Sequence, residues 1–429
     1  MSGARPTTPL AQRSWYFVPR PVYTGGNQLR LLRGGAELFP AMVAALDAAR
    51  HEVWLASYIF HHEAAVQQVS AALQRAARRG VAVRVVVDGF GSLRSLAALQ
   101  PALQAAGVDL VVFRSLQRWT HWLQPGQLRR LHMKLCSIDG RTGFVGGINL
   151  IDDRLDLHHG RLDADRLDYA VQAEGPVVQA LEQAVRAMWS RARSGRDWRL
   201  QVHELARTPR PLHQLRELWR ELRLTRRDAL QVEHGAAPMR AAFLVRDNVR
   251  QRRSIERSYI DAIRQARQRI WLVTPYFYPG RAFRLALGAA AQRGVDVRLL
   301  LQGRVDYRFA ALAAQALYDE LLRAGVQIHE YTPAFLHAKV ALVDQDWATV
   351  GSSNIDPISL LLNLEANLLV RDAGFNATLA EELAGALQRS RRIEVPQSRS
   401  TGLRGWLRRT LVAWCARLYL RLAGVTGRY

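Results

Sequence analysis

Hydrophobic positions along this chain change period in a regular order. Over residues 36–50, and again over 254–267, apolar residues recur at helical spacing. Each stretch is followed by a short run rich in β-branched and aromatic residues, "HEVWLASYIF" (51–60) and "QRIWLVTPYF" (268–277). Further on, "VAVRVVV" (81–87) and "VDVRLLL" (295–301) are almost unbroken apolar runs, as strands covered on both faces read. Strand and helix alternate, which predicts an α/β fold: a mainly parallel sheet flanked by helices.

The two sets of elements match each other. "ARRGVAVRVVVDG" (77–89) parallels "AQRGVDVRLLLQG" (291–303), and "LQAAGVDLVVF" (103–113) parallels "LLRAGVQIHEY" (321–331). "LHMKLCSIDGRTGFVGGIN" (131–149) parallels "LHAKVALVDQDWATVGSSN" (336–354). Matching blocks in one order, about 210 residues apart, indicate a duplicated domain. We expect an N-terminal tail (1–27), a first α/β domain (28–189), an arginine-rich linker with one helix (190–238), a second α/β domain (239–395) and a basic apolar C-terminal segment (396–429).

Charge changes the picture. The chain has 60 lysines and arginines against 37 acids, a net charge of +23, which suits a polyanionic partner such as nucleic acid or an anionic membrane face. Two cysteines, Cys136 and Cys415, cannot build a disulfide framework and fit a reducing compartment. The first 30 residues lack the apolar core of a secretory signal, and no apolar run is long enough to predict a spanning helix.

Only two of the 60 basic residues are lysine, and each stands two places after a histidine. The first copy reads His132-x-Lys134, Asp139, Gly146-Gly147-x-Asn149. The second reads His337-x-Lys339, Asp344, Gly351-Ser352-Ser353-Asn354, with identical spacing. Residues two apart on a strand share a face, so each histidine and its lysine are expected to project together. Histidine serves as nucleophile or as acid and base near neutrality. Lysine is a compact cation for a phosphate oxygen, and asparagine can donate to another. The segments around Gly147 and Ser352 allow close backbone approach and offer hydrogen bonds to substrate. Two such sets together predict a metal-free, cofactor-free cage for one phosphodiester. In it, one histidine attacks phosphorus and the other protonates the leaving alkoxide.

These paired His-x-Lys-x4-Asp motifs resemble those of the phospholipase D superfamily. Over roughly residues 28–395, "GSSNIDPISLLLNLEANLLVRD" and "FVGGINLIDD" also look like the bacterial cardiolipin synthases of the shorter, B type. The resemblance implies two similar α/β halves about a pseudo-twofold axis, with one active site at their junction. It implies a phosphohistidine intermediate on His132 or His337, with Lys134, Lys339, Asn149 and Asn354 binding phosphate. It makes Asp139 and Asp344 structural. It further implies an acid after each motif that orients a histidine: Asp168, 19 residues past Asn149, and Glu365, 11 past Asn354. The first copy therefore carries an inserted loop. Its aspartates and histidines could hold a metal, but the interleaved arginines favour a self-paired surface loop.

The implied partners are phospholipids, with phosphatidylglycerol as donor and phosphatidylglycerol or phosphatidylethanolamine as acceptor candidates. The implied location is peripheral, at the cytoplasmic side of a bacterial inner membrane. Leu403, Leu407, Leu411, Trp414, Leu418 and Leu422 form an apolar stripe among arginines, as an interfacial helix would. The insert 114–130 sets Trp119 and Trp122 among arginines near the expected site mouth, where they could bind substrate headgroups. The alternative substrate is nucleic acid, for which the same charge would suit a phosphodiesterase or nuclease.

Overall fold

A computed structural model describes residues 20–114, 129–157, 159–205, 239–247, 251, 253–304, 317–355 and 363–394. The insert carrying Trp119 and Trp122, the linker from residue 206 to 238 and the segment 396–429 lie outside the described residues.

The first half runs β1 (Gln28–Arg33), α1 (Gly34–Asp47), β2 (Glu52–Ser57), α2 (Ala64–Arg78), β3 (Ala82–Asp88), α3 (Leu96–Ala105), β4 (Asp109–Phe113), β5 (Arg130–Leu131), β6 (Leu135–Ile138), β7 (Thr142–Gly146), β8 (Leu155–Asp156), β9 (Gly160–Arg161), β10 (Tyr169–Glu174) and α4 (Val177–Leu205). The second half runs β11 (Arg240–Arg246), α5 (Ser254–Gln265), β12 (Arg269–Thr274), α6 (Arg281–Gln292), β13 (Asp296–Gln302), β14 (Gln327–Tyr331), β15 (Val340–Val343), β16 (Trp347–Gly351), β17 (Asn363–Arg371), α7 (Ala373–Gln388) and β18 (Ser390–Ile393).

The sheet orders show the duplication. One is β1-β10-β7-β6-β2-β3-β4 and the other β11-β17-β16-β15-β12-β13-β14-β18. The sheets are mixed, in place of the mainly parallel ones expected. Only β2-β3-β4 and β12-β13-β14 run parallel, and every other pairing along both orders is antiparallel. The parallel strands come from crossovers through α2, α3 and α6. Of the antiparallel pairings, β6-β7 and β15-β16 come from tight turns that return the chain on itself, and the others join strands farther apart in sequence. A continuous apolar run reports burial on both faces and says nothing of direction, so the pattern could not separate the two cases.

Helices α1, α2 and α3 cover one face of the first sheet, and α5 and α6 the matching face of the second, each over its own apolar cluster. The opposite faces share a third core, to which α4 contributes side chains such as Val178, Leu181 and Val185, and α7 side chains such as Phe375, Leu379 and Leu383. The helix α4 continues through the boundary expected at residue 189. Residues expected as an N-terminal tail also reach across. Thr24 pairs with Ala241, and the buried Asn27 side chain donates to Met239 O and accepts from Val177 N. Among the described residues, no helix is long and apolar enough to cross a membrane.

The halves are stitched reciprocally at the site. β5 of the first half pairs parallel with β17 of the second, and Leu167 of the first forms a parallel bridge with Leu336 of the second. Leu131, Leu167, Leu336 and Leu364 are all buried in the shared core beneath these crossings. Truncating one such leucine to alanine costs about 2–5 kcal/mol, so the floor of the site is also a main tie between the halves.

Candidate active site

His132 and Lys134 sit on the extended link between β5 and β6, and His337 and Lys339 on the equivalent link before β15. The links are not strands, yet they alternate as strands do. Met133 and Ala338 point into the core, fully buried, between the histidine and lysine of each pair. The backbone is fixed across the halves: His132 N donates to Leu364 O (3.0 Å) and His337 N to Leu167 O (2.9 Å).

Each histidine is held by the other half's acid. His132 Nδ1 lies 2.9 Å from Glu365 Oε2, and His337 Nδ1 lies 2.6 Å from Asp168 Oδ2. Burial works to raise both carboxyls, but the facing histidines and lysines outweigh it and hold both below the usual range. An ionised carboxylate only accepts, so each Nδ1 carries the proton and donates it. That leaves each Nε2 with its lone pair. The imidazoles keep 12% and 25% of their side-chain surface, enough for a ligand to reach them. Burial presses His337 down to about 3, aided by Lys339 and opposed by Asp168, and burial likewise lowers His132. Both rings are therefore neutral in the empty site at neutral pH.

The lysines complete the cluster. Lys134 Nζ donates to His132 O at 2.7 Å and Lys339 Nζ to His337 O. Lys134 also lies over the Tyr58 ring, 5.4 Å from its centroid, while that ring sits 5.0 Å from His132. Burial pushes Lys134 down to about 7, against the pull of Glu365. Both lysines are buried beside the histidines, with Asp168 and Glu365 as their nearby counter-charges. Asn149 is buried, and its Oδ1 has no hydrogen-bond partner among the described residues. Asn354 is buried at the equivalent place.

Gly147 and Ser352, expected to contact substrate, stand beside the acids. Gly147 N donates to Tyr169 O and Ser352 N to Ala366 O, each the residue after its acid. The Ser352 hydroxyl donates to Glu365 Oε2 at 2.5 Å. A Cβ added at Gly147 would come within 2.3 Å of Asp168 Oδ1. Both positions, directly after β7 and β16, thus touch the acids that hold the histidines.

Asp139 and Asp344 occupy the turns after β6 and β15, with φ of 54° and 51°. The Asp139 carboxylate accepts from the backbone of Arg50, His51 and Glu52, and that of Asp344 from Arg267, Gln268 and Arg269. Each pins its hairpin to the start of β2 or β12, at the strand ends away from the histidines.

The inserted loop folds as the small β8–β9 hairpin. Arg154 pairs with Asp165 at 2.6 Å and Arg166 with Asp156 at 3.4 Å. His159 packs on Phe335 of the second half, 5.4 Å between ring centroids.

Some residues around the acids escape sequence reasoning. Fully buried Arg246 stands opposite Glu365 in the β11–β17 ladder and draws its carboxyl down. In the first half the corresponding place is Gly34, whose N donates to Asp168 O. The space above Gly34 is filled by Asp153, whose carboxyl burial pushes up to about 6, with Asp168 adding to the rise. One acid therefore has a guanidinium for a neighbour and the other a second carboxyl. Aligning the two copies to the ends of β1 and β11 would have exposed this divergence.

A family model described as "Cardiolipin synthase, PLD-like domain" matches residues 42–189 and 259–387, so each half carries one copy. Cardiolipin synthase B of Salmonella typhi is 36% identical over 362 residues, 84% of this chain and 81% of the relative. Cardiolipin synthase B of Escherichia coli (strain K12) is 35% identical over 364 residues, with the same coverage. Among solved structures, phosphatidylserine synthase of Haemophilus influenzae Rd KW20 superposes with a TM-score of 0.65 at 13% identity, over 95% of this chain and 97% of that one. That likeness concerns the fold. With a matching model over both halves and these relatives along most of its length, the chain belongs to the phospholipase D-like cardiolipin synthase family.

Proposed function

We propose that the chain is a phosphatidyltransferase that makes cardiolipin and glycerol from two molecules of phosphatidylglycerol. The observation that carries this reading is the pair of neutral imidazoles, each tied at Nδ1 to a carboxylate and each left with Nε2 for phosphorus chemistry. The family membership supports the lipid substrate.

In the first step, Nε2 of one histidine bonds to phosphorus while the bond from phosphorus to the glycerol oxygen breaks. The second histidine, protonated, gives its Nε2 proton to that oxygen, and glycerol leaves. Its protonated form is disfavoured in the empty site, and the incoming phosphodiester anion offsets the lysine charges that disfavour it. In the second step this histidine takes the proton of a hydroxyl on another phosphatidylglycerol. The oxygen bonds to phosphorus, the P–N bond breaks, and cardiolipin is released. Lys134, Lys339, Asn149 and Asn354 hold the phosphate oxygens, and Asp168 and Glu365 hold the rings in one tautomer. The enzyme works peripherally at a bacterial inner membrane, on its cytoplasmic side, drawn there by its net charge of +23.

Purified protein incubated with phosphatidylglycerol vesicles should yield a four-chain phospholipid by mass spectrometry, with glycerol released in equal amount. Adding phosphatidylethanolamine shows whether it serves as acceptor. Absence of any such lipid, with cleavage of DNA or RNA that His132→Ala abolishes, would replace this reading with a nuclease.

A further inference from the structure

Three large hydrophobic side chains are exposed among the described residues, and two of them, Phe90 (44%) and Leu93 (50%), share the turn between β3 and α3. Exposed apolar side chains normally stand singly. These two crown a turn whose underside is tied down firmly. Asp88 Oδ1 accepts from Phe90 N and Gly91 N, and Ser92 Oγ donates to Tyr58 O while accepting from Phe60 N. Ser95 Oγ donates to Phe60 O at 2.5 Å. A Cβ on Gly91 would strike Tyr58 O at 2.4 Å, so the turn lies flat on Tyr58.

The turn is also continuous with the active site. Asp88 Oδ2 accepts from Leu131 N, the residue before His132, and the Tyr58 ring beneath the turn packs on His132. Cations flank the apolar tip: Arg130 stands 5.4 Å from the Phe90 ring, and Arg94 projects from the turn itself to Leu157 O of the inserted loop. An apolar tip flanked by two arginines, on a rigid base, beside the proposed phosphodiester site, matches the layering of an anionic bilayer surface. Phosphates lie outermost there and acyl chains just beneath.

We propose that the Phe90–Leu93 turn is a membrane-docking wedge that seats in an anionic phospholipid bilayer and sets the mouth of the His132 site against the headgroups. The proposal deepens the phosphatidyltransferase reading and rests on it for the substrate. With the tip in the interface, a headgroup phosphate has a short path to Lys134 without the lipid leaving the bilayer.

The test uses the full chain and the Phe90→Ser/Leu93→Ser variant, with Phe90→Trp/Leu93→Trp as its opposite. Flotation with phosphatidylglycerol vesicles should show roughly ten- to hundredfold weaker binding for the serine variant, and binding at least as tight as the parent for the tryptophan variant. Turnover of vesicle phosphatidylglycerol should fall with binding. Turnover of a short-chain, monomerically dissolved phosphatidylglycerol should stay at the parent level, which also shows that the variant folds. Vesicle binding unchanged in the serine variant overturns the proposal. So does equal loss on dissolved and vesicle substrate, and so does binding to phosphatidylcholine vesicles as tight as to phosphatidylglycerol vesicles. A change in oligomeric mass with no change in flotation overturns it in favour of a contact between copies. If the parent makes no cardiolipin from either substrate yet floats in a Phe90- and Leu93-dependent way, the wedge stands and the catalytic reading falls.

Discussion

Asp168 accepts the Nδ1 proton of His337 across 2.6 Å, although the two residues belong to different halves of the duplication and stand 169 positions apart. Glu365 and His132 repeat the relationship in reverse over 233 positions. Acid and base are crossed: neither half contains a working pair of its own.

The crossing predicts which ring each acid controls. Asp168→Asn should alter the ring-nitrogen NMR signals of His337 and leave those of His132, and Glu365→Gln should do the opposite. Each should lower turnover by about 10²–10⁴-fold, the usual worth of a positioned acid–base group. Spectral change at the histidine of the same half would refute the crossing.

Gly147 and Ser352 should differ in what their substitution does. Gly147→Ala places a methyl within 2.3 Å of Asp168 Oδ1 and must displace that carboxylate from His337. Ser352→Ala removes one hydrogen bond to Glu365, a neutral-to-charged bond worth about 1.5–3 kcal/mol. The glycine variant should lose kcat by more than tenfold, with the serine variant less affected and KM little changed in both. A rise confined to KM would return these residues to substrate binding.

Lys134 gives the site a pH dependence. In the proposed mechanism its ammonium binds the phosphodiester, and burial has brought its pKa down to about 7. Acid keeps the proton on, and rising pH removes it from the free enzyme. KM for phosphatidylglycerol should therefore climb as pH rises through about 7, once binding must recapture the proton. Lys134→Arg keeps the charge but overfills an enclosed place beside the Tyr58 ring, and should cut kcat/KM by roughly a hundredfold. Normal activity in that variant would show that the scarcity of lysine is only compositional.

Asp139 and Asp344 should matter to stability and not to chemistry. Asp139→Ala leaves three backbone N–H groups without their acceptor and puts alanine at a φ of 54°, which together cost roughly 2–4 kcal/mol. The urea midpoint should fall while kcat per folded molecule holds. A large drop in kcat in a variant with an unchanged midpoint would give Asp139 a catalytic role.

Much of this architecture is legible in the amino-acid sequence. The repeat is visible because both halves solve the same packing problem, so apolar runs such as 81–87 and 295–301 recur. His132, Lys134, His337 and Lys339 stand out because no packing requirement asks for that pairing twice. Strand direction is hidden, since burial and not direction shapes an apolar run. The crossing is hidden too: Asp168 lies nearer in sequence to His132 than to His337, and only the exchange of backbone at Leu167 and Leu364 decides which ring it meets. Arg246 reads as the end of a strand, because nothing local marks a cation that is to be buried against an acid supplied by a distant strand.

The crossed acids also bear on timing. A ribosome delivers His132 long before it delivers Glu365, and Asp168 long before His337. A nascent or proteolysed first half holds a histidine with no carboxylate to orient it and no partner to protonate a leaving group. In the proposed mechanism the site is therefore incomplete until the second half has been translated and docked on the first. The interlocked architecture ties orientation of both histidines to completion of the fold.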